Sequence, residues 1–394
     1  MIFQPPTLRQ DETEVLALID DLRDDLRDRV AEPRRWYGSL RRMAFARAVQ
    51  ASNSIEGYDA SLEDVLAAVD GEPILDADQE TQYALAGYRD AMTYVLQIAG
   101  DRELHVDSGL IKSLHFMMLK HELRKNPGRW RPGDIYIRRE QTGEIVYQGP
   151  DADRIPELIE EFVDQVQQSA NPVLVKGAMA HLNLAMIHPF SDGNGRMARC
   201  LQTLILAREQ IVAPVFSSIE EFLGRNTQAY YDVLGDVGAG SWNPERDARP
   251  WLRFCLRAHY LQARTSLRRR EETESLWNAC WELTDRVKLP ERCVAGLMEA
   301  AYGFRLRRGV YRSIVEDSAG EEIRDLTASR DLKQMVDKGL LEAVGERRGR
   351  YYLASEELIA IRKTIRSNRP PRATEDPFQL VSSRRQLRLL DDPD

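Results

Sequence analysis

The sequence describes a mainly α-helical protein: a helical body with one β-hairpin, then a smaller module in which helices precede a second hairpin. Three observations support this. Stretches with apolar residues at helical spacing recur along the chain, several opened by Ser, Thr or Asp and closed by Gly. Before residue 300 only one segment has clear strand character, where Ile135-Tyr136-Ile137 and Ile145-Val146-Tyr147 bracket a polar turn. The 394 residues, 43% of them hydrophobic and 30% charged, suffice for two or three domains with real cores.

Composition excludes some classes. A formal net charge of -8 argues against a generic polyanion binder. Cys200, Cys255, Cys280 and Cys293 show no CxxC spacing and read as reduced thiols. Met1 to Pro6 lacks the basic and apolar regions of a signal peptide. No run approaches the roughly 20 apolar residues of a membrane helix, so no membrane partner is expected and the cytoplasm is the expected compartment.

In chain order, 7–30 is an amphipathic helix with Val15, Leu18, Ile19, Leu22 and Leu26 on one side. A second helix spans 39–56 and stops at Gly57. Glu56 sits at its C-terminal end, where a carboxylate opposes the helix dipole and calls for a cation from elsewhere. Helices follow at 61–69, 78–98 and 107–121; His105, His115 and His121 read as packing or surface residues rather than ligands. Residues 127–133, rich in Pro and Gly, break the run. The hairpin comes next, and its free edge is able to pair with an extended peptide. Helix 153–168 leads to 177–187, an Ala/Leu/Met-rich segment expected to be buried. His181 shares a face with His188 and is assigned to packing. Pro189 ends this helix by pushing His188 out of the α region.

The segment from His188 to Arg199 organises the body. Asp192-Gly193-Asn194-Gly195 is turn chemistry, and a helix starts near Gly195. Its first N–H groups lack intrahelical partners and form an anion pocket with the turn amides. Arg196 and Arg199 share a face of the first turn and suit bidentate phosphate contacts. His188 titrates near neutrality and suits a general base. Asp192 suits Mg²⁺, which takes one or two carboxylates together with phosphate oxygens. This constellation resembles the Fic family: it fits H-x-F-x-[DE]-G-N-G-R-x-x-R at every specified position, and no G-K-[ST] of a Walker A loop follows. The resemblance spans about residues 35–265. It implies a Fic-type helical core that transfers AMP from ATP to a Ser, Thr or Tyr hydroxyl of a target protein. His188 would be the base, Asp192 the Mg²⁺ ligand, Gly193, Asn194 and Gly195 the phosphate cradle, and Arg196 and Arg199 the grip on the outer phosphates.

The same resemblance extends to other elements. Ser52-Asn53-Ser54-Ile55-Glu56-Gly57 fits the family's inhibitory motif [ST]-x-x-x-E-[GN], which implies a salt bridge from Glu56 to Arg199. The hairpin is similar to the family's target-docking flap, with Ile137, Ile145 and Tyr147 as its docking residues. Tyr230 and Tyr231 resemble the segment lining the nucleobase. The Asn that often follows in the family is absent from Asp236-Val237-Gly238-Ala239.

Helix 250–270 closes the body. Beyond it, helices at 274–283, 291–301 and 327–339, the last with a Thr327 N-cap and a Gly339 stop, precede a hairpin whose tip carries Arg347, Arg348 and Arg350. This module resembles a winged helix-turn-helix. Arg330, Lys333 and the tip arginines suit phosphates, but acidic residues interleave and DNA is the less favoured partner. The expected divisions are 1–100, an N-terminal helical segment with the inhibitory helix; 101–270, the catalytic core; 271–365, the winged helix; and 366–394, a polar, disordered tail. The leading expectation is an adenylyltransferase restrained by Glu56. Its rivals are a hydrolase that removes AMP with Glu56 orienting water, and a nucleotide-sensing DNA-binding regulator. Self-association as a homodimer is left open.

Overall fold

The computed structural model describes the chain except residues 32–35, 72–73, 75, 102, 139–142, 209–217, 321, 347–348 and 392–394. The centre of the flap turn and the wing-tip residues Arg347 and Arg348 lie outside the described residues.

The body opens with α1 (Gln10–Ala31), α2 (Tyr37–Ser54), α3 (Leu62–Val69), α4 (Gln79–Ile98) and α5 (Ser108–Leu119). Three of these begin where local chemistry dictates: the side chains of Ser61, Asp78 and Asp107 accept the backbone N–H of Asp64, Thr81 and Leu110. The strands β1 (Tyr136–Arg138) and β2 (Ile145–Gln148) follow, then α6 (Ile155–Gln168), α7 (Val173–Ile187), α8 (Asn194–Arg208), α9 (Glu220–Arg225) and α10 (Thr227–Gly238). A short β3 (Gly240–Ser241) and the long α11 (Arg249–Val287) complete the body. Helices α7 and α8 pack against each other and are buried on nearly every side.

The flap is more than a lone hairpin. β1 pairs antiparallel with β2, Ile137 facing Tyr147, and β3 adds a parallel strand on the other side of β2. β1 therefore keeps the outer edge. Of the three residues expected to dock a target, Ile145 is exposed and Ile137 half-buried, but Tyr147 is buried and its hydroxyl donates to the Met186 carbonyl at 2.8 Å. Tyr147 is thus an anchor: it ties the flap to the last turn of α7, two residues before His188.

In the C-terminal module, α12 (Cys293–Ala301), α13 (Arg308–Ala319) and α14 (Asp325–Asp337) precede β4 (Leu341–Val344) and β5 (Tyr351–Ala354), and Leu306 bridges antiparallel to Tyr352. The module is thus three helices followed by a two-stranded antiparallel hairpin, with the Leu306 bridge lying between α12 and α13. Gly339 takes φ 72° and stops α14, but the helix begins at Asp325, so Thr327 lies inside it rather than capping it.

Two expectations change. The boundary at 270/271 falls inside one continuous helix, α11, because Arg268-Arg269-Arg270 contains no breaker and the following Glu and Leu residues favour helix. The tail is not disordered throughout: α15 (Glu356–Asn368) and α16 (Pro377–Asp391) follow, and α16 lies against α1 with Val381 buried and Phe378 under the Arg253 guanidinium, 3.7 Å from ring centroid to Cζ. Few apolar residues in a polar segment suffice when the body offers a surface for them.

Candidate active site

His188 closes α7 in the left-handed region, φ 51° and ψ 58°. Pro189 ends the helix there as expected, but the residue before it is left-handed rather than extended. The imidazole Nδ1 lies 3.1 Å from the Ala185 carbonyl. A carbonyl only accepts, so Nδ1 carries the proton and Nε2 is left with its lone pair free to accept one. Burial, with Arg131 nearby, lowers the imidazole pKa and keeps the ring neutral near pH 7.

The turn after His188 is closed by a single amide. Asn194 Oδ1 accepts from the Phe190 N–H and Nδ2 donates to the Phe190 carbonyl, both at 2.9 Å. The Asn194 side chain is therefore turned inward, and only its backbone faces the pocket assigned to it. Gly193 adopts φ 75°, and a Cβ there would meet Leu119 at 2.9 Å. Asp192 Oδ1 accepts from the Gly193 N–H at 2.5 Å, and Oδ2 pairs with Lys125 Nζ at 2.6 Å. Burial alone would raise this carboxyl; Lys125 and Arg196 override it and hold the pKa below the ordinary value.

Arg196 is fully buried, and none of its three guanidinium nitrogens has a hydrogen-bond partner; the ring of Tyr58 lies 5.1 Å from its Cζ. Arg199 is held differently. Its Nε donates to Ser52 Oγ at 2.7 Å, and its Nη2 donates to the Ser52 carbonyl at 2.9 Å and to Glu56 Oε1 at 2.7 Å. Burial opposes the charge on Arg199, but Glu56 holds it charged. The same Glu56 oxygen crowds the space where a Cβ on Gly195 would stand, so the carboxylate covers the first turn of α8. The Glu56 carboxylate thus occupies the space beside Arg199 that an anion would enter.

Residues 105–206 match the family model described as Fic/DOC. The chain carries a Fic domain. Among proteins it resembles, it is 27% identical over 268 residues to "Protein adenylyltransferase Fic" of Nematostella vectensis, covering 64% of this chain and 55% of that one. It is 28% identical over 218 residues to the protein of the same name from Aedes aegypti, covering 54% and 39%. The chain thus spans about half the length or less of these relatives. A Fic family protein of Desulfovibrio desulfuricans G20 shares its fold with TM-score 0.56 at 23% identity, over 90% of this chain and 99% of that one. A Fic domain containing signaling protein of Bacteroides thetaiotaomicron gives TM-score 0.51 at 19% identity, over 65% and 97%.

Around the Fic loop, the expectations for the base site divide. Tyr230 is buried in the core, its hydroxyl 3.0 Å from His181 Nε2, and stacks on no open space. Tyr231 remains at the surface and donates to the Ile55 carbonyl at 3.1 Å, beside Glu56. His181 also meets Gln202 at 2.7 Å, a packing histidine as expected. Among the described residues no three His, Cys, Asp or Glu gather into a metal cage. Asp192 would give Mg²⁺ a single carboxylate, and phosphate oxygens would complete the usual arrangement of the ion at a nucleotide. The unpartnered nitrogens of Arg196 fit that group, since a buried guanidinium without acceptors needs an anion.

Sequence reasoning missed two supports. His115 Nδ1 accepts from the Gly128 N–H at 2.8 Å and Nε2 donates to the Asp192 carbonyl at 2.9 Å, with its ring stacked on Phe190 at 3.6 Å between centroids. Burial pushes its pKa down to about 4. Arg131 Nε donates to the His188 carbonyl at 2.9 Å, and its other nitrogens bind the carbonyls of Gly133 and Pro150. Both act on backbone carbonyls of the loop, which no side-chain motif reveals.

Proposed function

We propose that this chain is a protein adenylyltransferase restrained by its own Glu56. The reading rests on one observation above all: two buried arginines flank an anion pocket, one without any hydrogen-bond partner and the other paired with Glu56. With ATP bound and Glu56 displaced, Arg196 and Arg199 would take the outer phosphates, and the α8 N-terminus would face the same charge. Asp192 would hold Mg²⁺, which neutralises developing phosphate charge when bound. His188 Nε2 would take the proton of a Ser, Thr or Tyr hydroxyl as that oxygen attacks the α-phosphorus. The bond to the β-phosphate oxygen breaks, pyrophosphate leaves, and AMP stays on the target. The exposed β1 edge would align the target segment.

The names of the relatives support this chemistry, as does the full Fic loop. Among the described residues no helix is long and apolar enough to cross a membrane, and all four cysteines are free and buried. A reducing, ATP-rich cytoplasm suits such a protein. The test is mass spectrometry of a lysate incubated with the Glu56→Gly protein and ATP. It should find an added AMP on a hydroxyl side chain, absent with His188→Ala. Phosphate or UMP in its place, or equal modification by both variants, would reject the proposal.

A further inference from the structure

Asp192 does not wait empty for a metal. Its Oδ2 is taken by the ammonium of Lys125 at 2.6 Å, with both side chains about two-thirds buried. Lys125 is not a casual surface cation. It ends a short 3₁₀ turn, Leu123–Lys125, and Asn126 behind it is left-handed at φ 52°. Two residues further, the Gly128 N–H is held by His115, and the opposite nitrogen of that ring holds the Asp192 carbonyl. One imidazole therefore registers the lysine's loop against the aspartate's loop. The ion pair is set by backbone geometry rather than by chance meeting of two long side chains.

From this juxtaposition we propose that Lys125 is the resident counter-cation of the phosphate site. It holds the carboxylate oxygen that a divalent ion would take, and when metal and triphosphate arrive it is displaced onto the phosphates as an additional ligand. The inference rests on the reading of Asp192 as the metal-holding carboxylate and adds to it a residue outside the His188–Arg199 loop. Two physical points carry it. An ammonium at 2.6 Å and a divalent ion compete for the same carboxylate oxygen, and the repulsion between the two cations makes each weaken the hold of the other. And a displaced ammonium on a flexible four-carbon stem stays within reach of the same small pocket, where Arg196 also lacks an acceptor. Two opposite effects of removing Lys125 follow: bare metal binds more tightly, and the triphosphate binds less tightly. A purely structural lysine would weaken both.

The test uses the full chain without nucleotide. Mn²⁺ binding is read at millimolar metal from water-proton relaxation, for the wild type and for Lys125→Ala, Lys125→Met, Lys125→Arg and Asp192→Asn. Tripolyphosphate binding is then measured by calorimetry with Mn²⁺ present. Lys125→Ala and Lys125→Met should bind Mn²⁺ about five-fold more tightly, the equivalent of one partly exposed ion pair, and should bind tripolyphosphate more weakly. Lys125→Arg should stay near the wild type in both, and Asp192→Asn should lose the Mn²⁺ site. Unchanged or weakened Mn²⁺ binding in Lys125→Ala and Lys125→Met would overturn the proposal. So would Mn²⁺ binding that survives Asp192→Asn. Neither result depends on turnover, so a failure of AMP transfer by the Glu56→Gly protein would count against the proposed function alone.

Discussion

Asn194 commits both ends of its amide to the backbone of Phe190, and this closure sets the direction of everything else in the loop. Replacing it with Ala leaves a buried N–H and a buried carbonyl without partners. The expected cost is about 2–3 kcal/mol, checked as a lower denaturant midpoint with an unchanged slope. His188, Asp192, Arg196, Arg199 and Glu56 were legible in the sequence because they stand in short motifs. The directions of their side chains were not. The Asn194 side chain serves the turn, which leaves any phosphate contact to its backbone; Tyr230 reads as a base-stacking residue and is held by His181 in the core. Lys125, Tyr58 and Arg131 stay hidden because their partners are far away in sequence, and no local periodicity marks such a pairing.

At the scale of elements, α2 is the lever. Its C-terminal end delivers Ser52 and Glu56 to Arg199, while its N-terminal half is held by the C-terminal module. Arg42 Nη2 meets Glu299 at 2.5 Å, Nη1 lies 3.5 Å from Asp70, and the guanidinium covers Phe304. Glu299 is almost fully buried, so Arg42→Ala would strand its charge. The expected loss is about 3 kcal/mol, measurable by denaturation, and basal AMP transfer should rise as α2 loosens its hold on Arg199. Helix starts with a capping side chain, at Ser61, Asp78 and Asp107, could be read from sequence. The continuity of α11 could not. Its run of three arginines resembles a surface terminus, yet Arg268 and Arg270 are buried and Arg269 is gripped by both oxygens of Glu221.

For the whole molecule, burial of imidazoles sets the response to pH. His115 and His181 are pushed down to about 4 and about 3, and His188 and His259 are lowered as well, all by burial. Unfolded, each would titrate at the ordinary value of 6.5. Below that pH the unfolded chain takes up protons that the folded one refuses, so stability falls as pH falls, by up to about 1.4 kcal/mol per proton per pH unit. Glu220 opposes this: burial raises its carboxyl from 4.5 to about 7, so the folded state holds the extra proton between those values. With His121 lowered by burial too, five histidines outweigh one carboxyl. The melting temperature should therefore drop between pH 7 and pH 5, as a thermal scan at constant ionic strength would show. The mainly helical class and the flap could be read from the sequence. The packing of α16 on α1 could not, since only the folded body supplies its apolar partner.

The central claim is that Glu56 fills the seat of a nucleotide anion and that His188 acts once the seat is free. The most direct measurement compares ATP labelled at the α-phosphate with ATP labelled at the γ-phosphate, for the wild type, Glu56→Gly and Glu56→Gly with His188→Ala. The account predicts protein-bound label from the α-phosphate alone, well above wild type with Glu56→Gly and lost in the double variant. Label carried by the γ-phosphate, or α-label that is indifferent to Glu56 and survives the loss of His188, would contradict it.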